Sequence, residues 1–118
     1  MDRADVPVPI CGLLRRVRSE LTALPWVDRV LLFGSFARGD WSLESDVDLA
    51  VFARRGAPCG LAQYKILSRI CRDPRFDVQV QLFSAEELDD PCGIVEEIAA
   101  YGVDLAEFSF ASGADDKS

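Results

Sequence analysis

Gly34-Ser35-Phe36-Ala37-Arg38-Gly39-Asp40, followed after a polar stretch by Ser45-Asp46-Val47-Asp48-Leu49, is the part of this 118-residue sequence that decides its fold. The segment is entered from Val27 to Phe33, a run of β-branched and large apolar residues cut off by Gly34, which reads as a buried strand. It leaves through Asp46 to Phe52, where acidic and apolar residues alternate before the run turns wholly apolar, as in a strand with one solvent-facing end. The acidic end faces a cleft.

Working outward, Ile10, Leu13, Leu14, Val17, Leu21 and Leu24 recur at three- and four-residue steps and line one face of a helix from about Ile10 to Leu24, which Pro25 ends. Downstream, Arg54 to Gly60 reads as a loop, and Leu61, Tyr64, Leu67, Ser68 and Cys71 mark a crossover helix closing near Asp73-Pro74. Phe76 to Phe83 alternates, with Val78, Val80 and Leu82 on one face and Asp77, Gln79 and Gln81 on the other, so a half-buried strand is expected. Ser84 and Glu87 have capping-box spacing, Ile94, Val95, Ile98 and Ala99 form a last helix ended by Gly102, and Val103 to Phe108 adds an edge strand. One α/β (α+β) domain over residues 10–108 is expected, with an N-terminal extension over 1–9 and a small-residue, polar tail over 109–118 that stays disordered.

Thirteen basic against twenty acidic residues give a net charge of −7 and a pI near 4.5. Binding to a phosphate backbone relies on Lys and Arg, so nucleic acid is not expected as a general partner. No signal peptide and no apolar run of the roughly 18 residues needed to span a bilayer occurs, which makes a cytoplasmic protein the expectation. Cys11, Cys59, Cys71 and Cys92 form no C-x-x-C pair and there is no histidine, so buried reduced thiols are expected rather than a zinc site. So small a domain buries a modest share of its chain surface, and any active cleft should be shallow and completed by a partner chain.

The chemistry of the central segment follows from its residue types. Gly34, without a Cβ, lets the backbone turn sharply out of a strand and lets a ligand approach closely. Ser35 offers a hydroxyl and an N–H at the strand end, and a helix beginning near Phe36 would turn free N–H groups toward an anion such as a triphosphate. Asp46 and Asp48, two apart on a strand, leave the same face with Cα atoms roughly 6.6 Å apart, twice the rise of about 3.3 Å. Carboxylates suit Mg²⁺, and two ions shared with substrate phosphates would activate an attacking oxygen and stabilise a leaving pyrophosphate. Taken singly, Gly-Ser is also a common turn and Asp-x-Asp a common solvated strand end.

Together, with ten residues between Ser35 and Asp46, these pieces resemble the G-S-x10-D-x-D signature of the DNA polymerase β-like nucleotidyltransferase superfamily. Within it the minimal nucleotidyltransferase family spells the motif G-S-x-A-R-G, then S-D-x-D-L, which Gly34 to Gly39 and Ser45 to Leu49 meet. The resemblance covers roughly Ile10 to Phe108 and implies a short mixed β-sheet flanked by helices. It also implies that Arg38 holds phosphates or orients the loop; a structural pairing with Asp40 or Glu44 is the other reading. The family carries a third carboxylate on the next strand that binds the metal and helps to activate the acceptor hydroxyl. Asp77 is the candidate, and a register two residues along would put the neutral Gln79 there instead. The implied activity is Mg²⁺-dependent transfer of a nucleoside monophosphate, AMP from ATP, to an acceptor hydroxyl. Family members are often paired with a HEPN-type helical protein as antitoxin and toxin, the acceptor then lying on that partner. The alternative is a noncatalytic nucleotide-binding subunit that acts by covering its partner.

Overall fold

The computed structural model describes residues 8–42 and 44–106. The N-terminal extension up to residue 7, the tail from residue 109 and the far end of the expected edge strand, residues 107–108, lie outside them. Helix α1 (Val8–Thr22) starts and stops two residues earlier than the apolar spacing suggests. Leu24 precedes a proline and is disfavoured in the helical region, so the chain leaves the helix through two turns. In these, Leu24 N–H donates to Leu21 O at 3.1 Å and Val27 N–H to Leu24 O at 3.2 Å.

Next come β1 (Val27–Phe33), a single helical turn α2 (Ser35–Arg38), β2 (Val47–Ala53), the crossover helix α3 (Leu61–Cys71) and β3 (Val78–Phe83). The short helix α4 (Glu86–Asp89), α5 (Ile94–Tyr101) and the two-residue strand β4 (Val103–Asp104) complete the described chain. The sheet has the order β3-β2-β1-β4 and is mixed: β1 lies antiparallel to β2 and β4, while β2 and β3 run parallel. Parallel neighbours cannot be joined by a hairpin, which is why α3 intervenes.

Period-two alternation divides the core between the sheet faces. Val30, Leu32, Val47, Leu49, Val51 and Val80 pack with Leu13, Leu14, Val17 and Leu21 of α1 and Leu67 and Cys71 of α3. On the opposite face Leu31, Phe33, Ala50, Phe52 and Phe83 meet Val95 and Ile98 of α5. Strand β2 is covered on both sides, which explains its wholly apolar second half. Ser84 and Glu87 are bonded, Ser84 N–H donating to Glu87 Oε2 at 2.9 Å, ahead of the separate short helix α4, but the N-cap position there is Ala85, which has no side-chain acceptor to complete a capping box. Only two of the thiols are buried, Cys11 and Cys71; Cys59 and Cys92 are exposed, because each sits in a loop before a helix rather than on an apolar face.

Candidate active site

The antiparallel β1–β2 pair and the parallel β2–β3 pair bring the end of β1 and the starts of β2 and β3 to one rim of the sheet. Phe33 pairs with Asp48 and Asp48 with Gln79, so the three stand level across the sheet. By parity Asp48 points to the face of Ala50 and Phe52, the face that α5 covers.

Beside Asp48 the chain turns at Gly34, whose φ of 77° and ψ of −153° an L side chain adopts only with strain. A Cβ there would land on Asp48 Oδ2 and lie 3.0 Å from its Cγ. The glycine thus supplies both the turn and the space for the carboxylate. Gly34 O then accepts from Ala37 N–H at 3.1 Å and Arg38 N–H at 3.0 Å, making α2 one turn long. A single turn sums little dipole, so the loop's offer to an anion is the N–H groups of Ser35 and Phe36, which have no carbonyl within the turn to accept them. Phe36 is buried and stacks on Trp41 at 5.6 Å between centroids, anchoring the turn to the core.

The approach to β2 is held by a serine pair. Ser42 N–H donates to Ser45 Oγ at 2.8 Å and Ser45 N–H returns to Ser42 O at 3.1 Å. Asp46, expected inside the strand, lies one residue before it and is exposed. Its charge nevertheless reaches Asp48. Burial first, then the neighbouring Asp46, pushes the Asp48 carboxyl above its usual range; Arg38 opposes the rise and Glu97 adds to it. A carboxylate crowded this way is relieved by a cation, and oxygen donors of this kind suit Mg²⁺.

Asp77 lies just before β3 and is exposed, its carbonyl accepting Val47 N–H at 2.8 Å; Gln79 takes the position level with Asp48. Among the described residues, no three His, Cys, Asp or Glu side chains converge closely enough to hold a metal ion. Arg38 pairs with Asp40, Nε to Oδ2 at 3.4 Å, but not with Glu44. Its shorter contact is one the sequence did not suggest: Nη1 donates to Glu97 Oε2 of α5 at 3.0 Å. Arg38 and Glu97, with Gly93, Glu96, Ala100 and Tyr101, line a cavity of about 550 Å³. On the solvent side of a helix, Glu97 looks like any other charged surface residue, and only the packing of α5 over the sheet brings it here.

The nucleotidyltransferase domain family model matches residues 10–115. A relative from Methanocaldococcus jannaschii, provisionally named a protein adenylyltransferase, is 31% identical over 80 residues, spanning 67% of this chain and 79% of its own. The crystal structure of a protein from Sulfolobus solfataricus, provisionally a nucleotidyltransferase, superposes with a TM-score of 0.61 at 22% identity, covering 82% of this chain and 79% of that one, a likeness of fold. A chain of a toxin–antitoxin complex crystallised with AMP-PNP is more distant, with a TM-score of 0.43 at 24% identity over 81% of this chain and 68% of that one. The family match spans both the strand-end turn and the aspartate strand, and this chain belongs to the nucleotidyltransferase domain family and is a nucleotidyltransferase.

Proposed function

We propose that the protein transfers AMP from ATP to an acceptor hydroxyl on a partner protein and releases pyrophosphate. The observation that carries this reading is the Asp48 carboxylate set against the Gly34 turn, crowded by Asp46 so that it calls for a cation. The name of the M. jannaschii relative supports the choice of AMP and of a protein acceptor. Asp46 and Asp48 hold Mg²⁺, two ions in the full complex, which when bound supplies positive charge where the transferred phosphoryl group and the leaving pyrophosphate gain negative charge. Gly34 and Ser35 receive the triphosphate through backbone N–H groups and the Ser35 hydroxyl, and Arg38 neutralises charge at its edge. As the acceptor oxygen bonds to the α-phosphorus, the bond to the bridging oxygen breaks and the acceptor's proton passes to a carboxylate oxygen of Asp77, the third carboxylate. The hydrogen bond from Val47 N–H to Asp77 O supports this role by tying that residue to the start of β2.

The motif spelling supports a HEPN-type helical protein as the partner and an antitoxin role for this chain. A second reading is favoured by one observation: neutral Gln79, not a carboxylate, stands level with Asp48. In that reading the chain binds nucleotide and covers its partner without catalysis.

The test is incubation with α-labelled ATP and Mg²⁺, with and without the protein encoded by a neighbouring gene, comparing wild type with Asp48→Asn. Label on the partner, reduced roughly 10²-fold or more in Asp48→Asn, is expected, a loss typical of removing a group that stabilises transition-state charge. Nucleotide binding and partner inhibition with no label transferred would replace this reading with the covering subunit.

A further inference from the structure

Arg38 and Glu97 are 59 residues apart in sequence, yet their ion pair, at 3.0 Å, is shorter than the 3.4 Å pair that Arg38 makes with Asp40 in its own loop. Both side chains are close to half exposed. Pairs of this kind hold a domain together only weakly, so stability does not account for the contact's placement. Geometry does. Val95 and Ile98 lock α5 over the sheet face to which Asp48 points, and Glu97, between them in sequence, lines the same cavity as Arg38.

We propose that Glu97 is a positioning residue for the transfer reaction: it holds the Arg38 guanidinium on the α5 side, where it meets the substrate's phosphates, and off the Asp46–Asp48 pair. This rests on the nucleotidyl-transfer reading of the same site. Arg38 stands on a one-turn helix and its own loop offers it Asp40 alone, at 3.4 Å. Arginine loses a large rotamer freedom when ordered, and an unanchored guanidinium is drawn to the negative charges around it. Besides Asp40 these include Asp48, on whose carboxyl Arg38 already acts. A guanidinium folded onto Asp48 would occupy the place of the cation. Glu97 prevents this with one directional, charge-assisted bond and still leaves Arg38 donors for a phosphate.

The experiment is calorimetric titration of α,β-methylene-ATP with Mg²⁺, a probe that cannot be cleaved at the reacting bond, into wild type, Glu97→Gln, Arg38→Gln and the double variant. Glu97→Gln is expected to weaken binding roughly 3- to 10-fold, as loss of one charge-assisted contact does. The double variant should be no weaker than Arg38→Gln, because Glu97 acts through Arg38. Tm should move by less than about 5 °C, as for an exposed pair worth at most about 1 kcal/mol. Wild-type affinity in Glu97→Gln, tighter binding, losses that multiply in the double variant, or a larger fall in Tm would each overturn the inference. If wild type itself fails to bind the probe, the nucleotidyl-transfer reading falls and this inference with it; binding by wild type that Glu97→Gln leaves unchanged sinks the inference alone.

Discussion

At Gly34, one missing Cβ settles two things at once, since the residue's left-handed φ makes the turn and its bare Cα leaves room for Asp48 Oδ2. Gly34→Ala should therefore destabilise the domain by about 1–3 kcal/mol, the usual cost of a strained backbone position, measurable by urea unfolding. It should also displace the Asp48 carboxyl and abolish Mg²⁺-dependent nucleotide binding. Asp48 has the opposite relation to stability. Its proton affinity is raised in the fold, so at pH values just above 3.8 the native state keeps a proton that the unfolded chain has lost. Stability attributable to this residue consequently falls as pH rises through the folded pKa, and the cost of the bare carboxylate is fully present above it. Asp48→Asn removes that dependence, and without Mg²⁺ its Tm at neutral pH should equal or exceed that of wild type while transfer is lost. A neutral-pH Tm well below wild type would show that the carboxylate is instead well satisfied by its surroundings. These residues were legible in the sequence because the turn and the aspartates lie within one short stretch. Glu97 was not, because its contact with Arg38 arises only when α5 crosses the sheet.

Among the elements, the turn from α3 into β3 sets how far β3 slides along β2, and so which residue meets Asp48. It is pinned by Asp73, whose Oδ1 accepts Arg75 N–H at 2.8 Å, and by Arg16 of α1, whose Nη1 donates to Ile70 O at 2.9 Å and Nη2 to Arg72 O at 3.2 Å. The Arg75 N–H bond above all holds the Asp73 carboxyl below its ordinary value, with the guanidinium groups of Arg75 and Arg16 also contributing. For a depressed pKa the sign is the usual one for a carboxylate: the stability is present above the unfolded value near 3.8 and is lost as pH falls through the folded one. Asp73→Ala should cost about 1 kcal/mol at neutral pH, as a lost hydrogen bond does, while Asp73→Asn keeps an acceptor and loses less. Both deficits should shrink as the solution is acidified below pH 3.8, followed as Tm against pH. Alternation in the sequence assigned the faces of β3 correctly, but register was left open, because a two-residue slide keeps every side chain on its face. Only the pairing of Asp48 with Gln79 resolved it.

For the molecule as a whole, the site lies where one rim of the sheet meets α2 and α5, so a ligand there bridges elements distant in sequence. Mg²⁺ with ATP should accordingly stabilise the entire fold by mass action, by about 2.7 kcal/mol at a free concentration of 100 Kd, read as a rise in Tm. That rise should vanish in Asp48→Asn, and its persistence there would locate the nucleotide elsewhere. Among the described residues no helix is long and apolar enough to cross a membrane, in line with the hydropathy of the sequence. Read alone, the sequence specified the three main strands β1, β2 and β3 and the helices α1, α3 and α5, the mixed character of the sheet through its family resemblance, and the position of the glycine turn and the aspartate pair. All of these depend on neighbours a few residues apart, where periodicity, glycine and proline act directly. Tertiary structure alone decided that Gln79 rather than Asp77 is level with Asp48, that Arg38 reaches across to Glu97, and that α5 roofs the site. Those outcomes depend on strand register and on which sheet face a helix covers, and both are set by the packing of the whole core rather than by any local pattern.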